Sequence, residues 1–218
     1  MKKIILLFLS LSITSITFSQ NSDKAKSLLD EVSTKMSAYK NMYLGFSQTL
    51  SNKEAGINEG DEPPIRGTIN LQGEKYNLNY LGNNFIYDGK KLYVINNEEK
   101  EISITDGDIS DDDGFIYPSK LLTFYKEGYN LEMGTLQNIN GRKIQFVTLN
   151  PMDSSADIIK VELGIDAKTK HIYKLVQTGE NGAKTSFTIT DFKSNQTLSE
   201  HFFKFDKEKY LSQNFTID

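Results

Sequence analysis

His171 and His201 are the two histidines of the chain, and histidine is the side chain most ready to act as a general base or a metal ligand near neutral pH. Either role needs a second group. His171 ends the hairpin turn Lys168–His171 and His201 stands just before Phe202-Phe203. Neither has a partner in the sequence around it, so both read as surface histidines. No G-x-S-x-G elbow, glycine-rich phosphate loop or H-E-x-x-H pair is present. The acidic run Asp106, Asp108, Asp111, Asp112, Asp113, Gly114 offers the oxygen ligands that calcium takes. Its spacing fails: a triplet ending at Asp113-Gly114 puts the first ligand on Ile109 and the closing carboxylate on Lys120. The run therefore reads as a solvated loop. The residues point to a protein that catalyses nothing and holds no metal and no cofactor.

What the chain does supply is thirteen Phe and eleven Tyr, with no Trp. Such side chains either pack an ordinary core or wall a cavity filled by a ligand, and composition fits both. The elements that would position them follow from periodicity. Ala25, Leu28, Leu29, Val32, Met36 and Tyr39 recur at helical spacing, which predicts an amphipathic helix. From Met42 the period becomes two: Met42, Leu44, Phe46 and Leu50 share one face of a strand. After the polar loop 52–64, short strands are expected at Arg66 to Leu71, Tyr76 to Tyr80, Phe85 to Tyr87, Leu92 to Ile95, and Ile102 to Ile104. Asp88-Gly89 is a tight-turn signal.

Beyond the acidic run, Pro118 suits the first turn of a short helix carrying Leu121, Leu122 and Tyr125, with Gly128 as its stop. Strands resume at Tyr129 to Met133, Ile144 to Leu149, Ile159 to Ile165, Ile172 to Val176 and Phe187 to Phe192, with Phe203 and Phe205 closing the set. Asn140-Gly141 and Asn181-Gly182 are hairpin turns. There is no βαβ rhythm, so the expected fold is mainly β (α+β), one curved antiparallel sheet with helices against one face.

The ends and the charge bound the setting. Lys2 and Lys3 precede an apolar stretch from Ile4 to Phe18, and small residues at Thr17 and Ser19 are spaced for cleavage. Residues 1–19 are expected to be a cleaved signal peptide and 20–218 a single domain. Cleavage leaves 199 residues with 23 basic and 29 acidic side chains, a net charge of −6. That charge argues against nucleic acid as a partner. With no Cys, stability must come from an ordinary core.

Several segments follow one another in a distinctive order. After the opening helix come Phe46-Ser47-Gln48, Gly67-Thr68-Ile69-Asn70-Leu71 and Asp88-Gly89-Lys90-Lys91-Leu92-Tyr93. Pro118 with Leu121-Leu122, Leu149-Asn150-Pro151, Ile159 to Asp166 and Phe187 to Phe192 continue the series. In that order they resemble the periplasmic outer-membrane lipoprotein carrier family, the LolA-like proteins, over nearly all of residues 20–218. The resemblance implies an unclosed antiparallel β-barrel with helices as a lid over an apolar cavity. It further implies a monomeric periplasmic chaperone that takes acylated lipoproteins from an inner-membrane ABC transporter and delivers them to the outer membrane, where a receptor can take part. On that basis the expected lipid-binding wall is Leu44 and Phe46, Ile69 and Leu71, then Tyr76, Leu78 and Phe85, with Leu121 and Leu122 as lid contacts. The family carries an Arg after its second strand that bonds the closed lid; this sequence has Gln72-Gly73 there, and Arg66 comes too early in register. The other reading, from a different class, is an envelope-stress sensing or regulatory domain that binds a protein on a related half-barrel.

Overall fold

The computed structural model describes residues 2–108, 118–153 and 157–218, with the backbone alone for 2–19. Its first element, α1 (Lys2–Ser37), includes the stripe that periodicity marked: Ala25, Leu29, Val32 and Met36 are all buried. Lys35 in its last turn suits the negative end of the helix dipole.

Twelve strands follow among the described residues: β1 (Met42–Ser51), β2 (Ile65–Gln72), β3 (Lys75–Tyr80), β4 (Asn83–Tyr87), β5 (Lys91–Asn96), β6 (Glu101–Asp106), β7 (Tyr129–Ile139), β8 (Arg142–Pro151), β9 (Ile158–Asp166), β10 (Ile172–Gly179), β11 (Lys184–Ser194) and β12 (Thr216–Ile217). They form one sheet in the order β12-β6-β5-β4-β3-β2-β1-β11-β10-β9-β8-β7. All neighbours run antiparallel except β12, which lies parallel to β6. The outermost strands, β12 and β7, do not pair with each other, so the curved sheet is an open half-barrel. The strands from β2 to β6, and the pairs β7–β8, β9–β10 and β10–β11, join by short turns. At Asn140-Gly141 both residues take positive φ, 50° and 79°, as a type I′ hairpin requires. Two junctions join distant parts of the chain: β1, which pairs β2 on one side and β11 on the other, and β12 against β6.

The main core lies between the concave face of this sheet and α1. Leu29, Val32 and Met36 pack there with Leu44, Ile69, Val147, Leu149 and Leu163. A second, smaller cluster on the opposite face joins Ile86, Ile95 and Ile102 to Phe215.

Three expectations change. The segment after Pro118 forms two 3-10 turns, Pro118–Lys120 and Phe124–Lys126, and not a helix. So short a stretch cannot recover the cost of nucleating an α-helix, and it closes i→i+3 bonds such as Thr123 N–H to Lys120 O, 2.8 Å. Phe203 and Phe205 lie outside any strand; Lys204 N–H turns back to His201 O at 2.9 Å. They precede α2 (Lys207–Ser212), which Asp206 caps by accepting Lys209 N–H. Leu50 keeps the alternation of β1 yet is 53% exposed, because the strand runs past the edge of the core.

Candidate functional site

Within the concave face is an apolar cavity of about 310 Å³. Leu44 and Phe46 of β1, Ile69 of β2, Leu78 of β3 and Phe85 of β4 form one wall. Ile172 and Leu175 of β10 and Phe187 and Ile189 of β11 form the other. Met36 of α1 closes it on one side with Pro118 and Leu121 of the 118–126 segment. The two walls face each other because β1 pairs both ways and the sheet bends around it.

Phe46 is the central ring. It sits over the bare backbone of Gly67, its register partner on β2; a Cβ at Gly67 would fall 2.3 Å from the ring's Cζ. Phe187 meets the ring edge-on at 6.0 Å between centroids, and Tyr80 tilts against it at 5.7 Å. The Tyr80 hydroxyl donates to Oε1 of the buried Gln48, so the polar tip of the wall is satisfied within the protein. The rest of the lining is mostly hydrocarbon, with Asn83 and Gln177 as its other polar residues.

Of the nine residues singled out from the sequence, Leu44, Phe46, Ile69, Leu78, Phe85 and Leu121 border this one cavity. Leu71 and Leu122 border a neighbouring recess of about 620 Å³ beside Met36 and Tyr39. Tyr76 borders neither: it is fully enclosed, and its hydroxyl donates to Asp108 Oδ1 at 2.5 Å. Sequence reasoning left out the β10–β11 wall. The alternation of those strands was visible, but their place opposite β3 and β4 depends on the β1–β11 pairing.

The 118–126 segment is held from two directions. Asp108 accepts from Tyr76 on β3 and from the Ser119 hydroxyl in the first 3-10 turn. Burial first, then this bond to Asp108, drives the Tyr76 phenol far above its usual range, so it stays a donor. Tyr125 in the second turn donates to Asp30 Oδ1 of α1 at 2.8 Å, and burial followed by that bond pushes its phenol up to about 12. Among the described residues no salt bridge involves an Arg, and Gln72-Gly73 stands where the family carries one. Asp108 is therefore not the solvated loop residue expected. The rest of that acidic run, residues 109–117, lies outside the described residues.

His171 also differs from expectation. It is half-buried, its Nε2 lies 2.9 Å from the Tyr39 hydroxyl, and its ring centroid is 4.1 Å from that of Phe192. Burial, followed by the charge of Lys35, lowers its pKa and keeps the ring neutral. It borders a recess of about 780 Å³ at the end of the half-barrel, near the β7–β8 and β9–β10 turns. His201 is exposed, as read. Among the described residues no three acidic or histidine side chains are grouped to hold a metal ion, and no helix is long and apolar enough to cross a membrane.

A family model described as "Outer membrane lipoprotein carrier protein LolA" matches residues 75–206. No curated protein matches the sequence. Among solved structures, an uncharacterized conserved protein from Thermus thermophilus superposes with a TM-score of 0.57 at 12% identity, over 85% of this chain and 96% of that one. It has the same fold. A DUF1329 family protein from Desulfovibrio piger gives 0.49 at 9% identity, over 84% and 97% of the two chains. The putative outer membrane lipoprotein-sorting protein domain from Vibrio parahaemolyticus gives 0.48 at 13% identity, over 87% and 99%.

Proposed function

This chain belongs to the LolA family of outer membrane lipoprotein carrier proteins, and from that premise we propose that it is a periplasmic chaperone that shelters the acyl chains of lipoproteins in the Phe46 cavity. The observation that supports this reading is a concavity walled on two sides mostly by aliphatic and aromatic side chains, with the Tyr80 hydroxyl already satisfied by Gln48. Such a wall offers contact without direction, which suits a carrier that must also let go.

The energetics define the task. Three acyl chains of about fifteen methylenes each, at about 0.8 kcal/mol per methylene, cost on the order of 35 kcal/mol to expose to water. Free diffusion across an aqueous gap is closed to such a molecule. A cavity of about 310 Å³ stands at the lower end of the roughly 300–1,000 Å³ of small-molecule sites, so three chains require the 118–126 segment to move outward. The contacts that hold it include the hydrogen bonds of Asp108 with Ser119 and of Asp30 with Tyr125, each of modest net strength. In this reading residues 1–19 are the export signal, an inner-membrane ABC transporter supplies the cargo and an outer-membrane receptor accepts it. The protein acts by binding alone.

Photo-crosslinking from position 46 inside cells, followed by mass spectrometry of the adducts, tests the proposal. Lipid-modified N-terminal peptides are the expected adducts. Adducts confined to unmodified proteins, from a correctly folded chain, would sink it and favour the sensing domain.

A further inference from the structure

The recess at the end of the half-barrel adjoins the Phe46 cavity through two shared lining residues. Ile172 and Ile189 border both. Its outer rim is cationic: Arg142 and Lys143 at the start of β8, beside the β7–β8 turn, and Lys168 from the β9–β10 turn, all exposed. This is a local reversal in a chain whose net charge is −4.

The charges on this rim are little used by the fold: against burial, the backbone N–H groups of Thr169 and Lys168 hold the Asp166 carboxyl below its usual range, and Arg142 helps. None of the three cations is in a salt bridge among the described residues. Arg142 lies over the Tyr173 ring at 5.7 Å. The one carboxylate bordering the recess, Asp166, is buried, and its Oδ1 accepts the backbone N–H groups of Lys168 and Thr169, both at 2.9 Å. Neighbouring Lys170 is paired with Glu31 of α1 at 2.9 Å. Two hairpin ends thus present cations around the mouth of an apolar pocket, while their only bordering carboxylate is occupied in shaping one of their turns. Coulomb attraction at such a rim is weak per contact but acts together across three groups.

Resting on the carrier reading above, we infer that the cargo is an anionic amphiphile: acyl chains in the Phe46 cavity, and a negative group close behind them met by Arg142, Lys143 and Lys168. A phosphodiester headgroup and acidic residues following a lipidated N-terminus share that chemistry.

Displacement of the neutral fluorophore N-phenylnaphthylamine from the purified protein tests the inference and separates the two sources. One arm compares lysophosphatidylglycerol with lysophosphatidylcholine of the same chain length, below their micellar concentrations. The other compares diacylated peptides of sequence Cys-Ser-Asp-Asp and Cys-Ser-Lys-Lys. In at least one arm the anionic member should bind about fivefold more tightly. That preference should vanish in the triple variant Arg142→Gln, Lys143→Gln, Lys168→Gln, with fluorophore binding unchanged. A second measurement needs no variant: raising salt from about 50 to about 500 mM should erase the preference in the native protein. The arm that shows the preference identifies the source. Equal binding within both pairs, or a preference that survives both the triple variant and high salt, would overturn the inference and leave the carrier reading standing. Failure of the fluorophore and of every amphiphile to bind would overturn both.

Discussion

Gly67→Ala adds a single atom at a place the structure defines sharply. Its Cβ would lie 2.3, 2.8 and 2.9 Å from three carbons of the Phe46 ring, where carbon atoms prefer about 3.5–4.0 Å. Gly67 has ordinary extended backbone, so strain in φ plays no part. The ring must therefore retreat by roughly 1.5 Å, and the space open to it is the cavity. Overpacking of this kind costs about 1–3 kcal/mol, offset by the about 0.5–1 kcal/mol that alanine gains over glycine in a strand. A net loss of about 0.5–2 kcal/mol follows, which lowers Tm by about 1–8 °C for a domain of this size. Binding of an apolar fluorophore should weaken in parallel, since the displaced ring occupies the site. Thermal melts and fluorophore titrations of Gly67→Ala, alone and with Phe46→Leu, measure both effects. In the Phe46→Leu background the clashing ring carbons are gone, so Gly67→Ala should be neutral or stabilising. An equal penalty in both backgrounds would refute the close approach of ring and glycine.

Tyr125→Phe removes the bond to Asp30 and should cost about 1 kcal/mol, lowering Tm by about 2–4 °C and speeding amide exchange across 118–126. His171 has its pKa lowered by burial and then by Lys35, so the fold favours the neutral ring; that stability is complete above the unfolded value near 6.5 and is lost as pH falls through the folded value. Melts between about pH 7.5 and 5 should show this decline in the native protein and a shallower one in His171→Phe.

The parts of the fold that were legible are those set by neighbours in the chain. Alternation in Met42, Leu44 and Phe46, then in Ile69 and Leu71, and the turns at Asp88-Gly89 and Asn140-Gly141, fix a run of antiparallel hairpins whose shared face is apolar. One wall of the cavity, from β1 through β4, is such a run. The other wall was not legible as a wall. Phe187 and Ile189 reach the site only because β11 closes against β1, bringing Gln48 beside Phe187 and Phe46 beside Ile189 across more than a hundred residues. Periodicity says which face of a strand is buried, not which distant strand will cover it.

Polar residues were misread for a related reason. Asp108 sits in an acidic run that looks fully solvated, and His171 has no partner close in sequence. Each is claimed by a tyrosine from elsewhere, Asp108 by Tyr76 and His171 by Tyr39. The available signal was on the tyrosines. A tyrosine at a core position such as Tyr76, on the apolar face of β3 between Leu71 and Tyr87, buries its ring but must still satisfy its hydroxyl. Every tyrosine that periodicity places inside thus implies an acceptor at the boundary of the core. Here that acceptor also receives Ser119, tying the segment that closes the cavity to the strand that walls it. In the proposed carrier role the same residue would join fold to function: releasing Ser119 would open the site, while Tyr76 would keep Asp108 in place for closure.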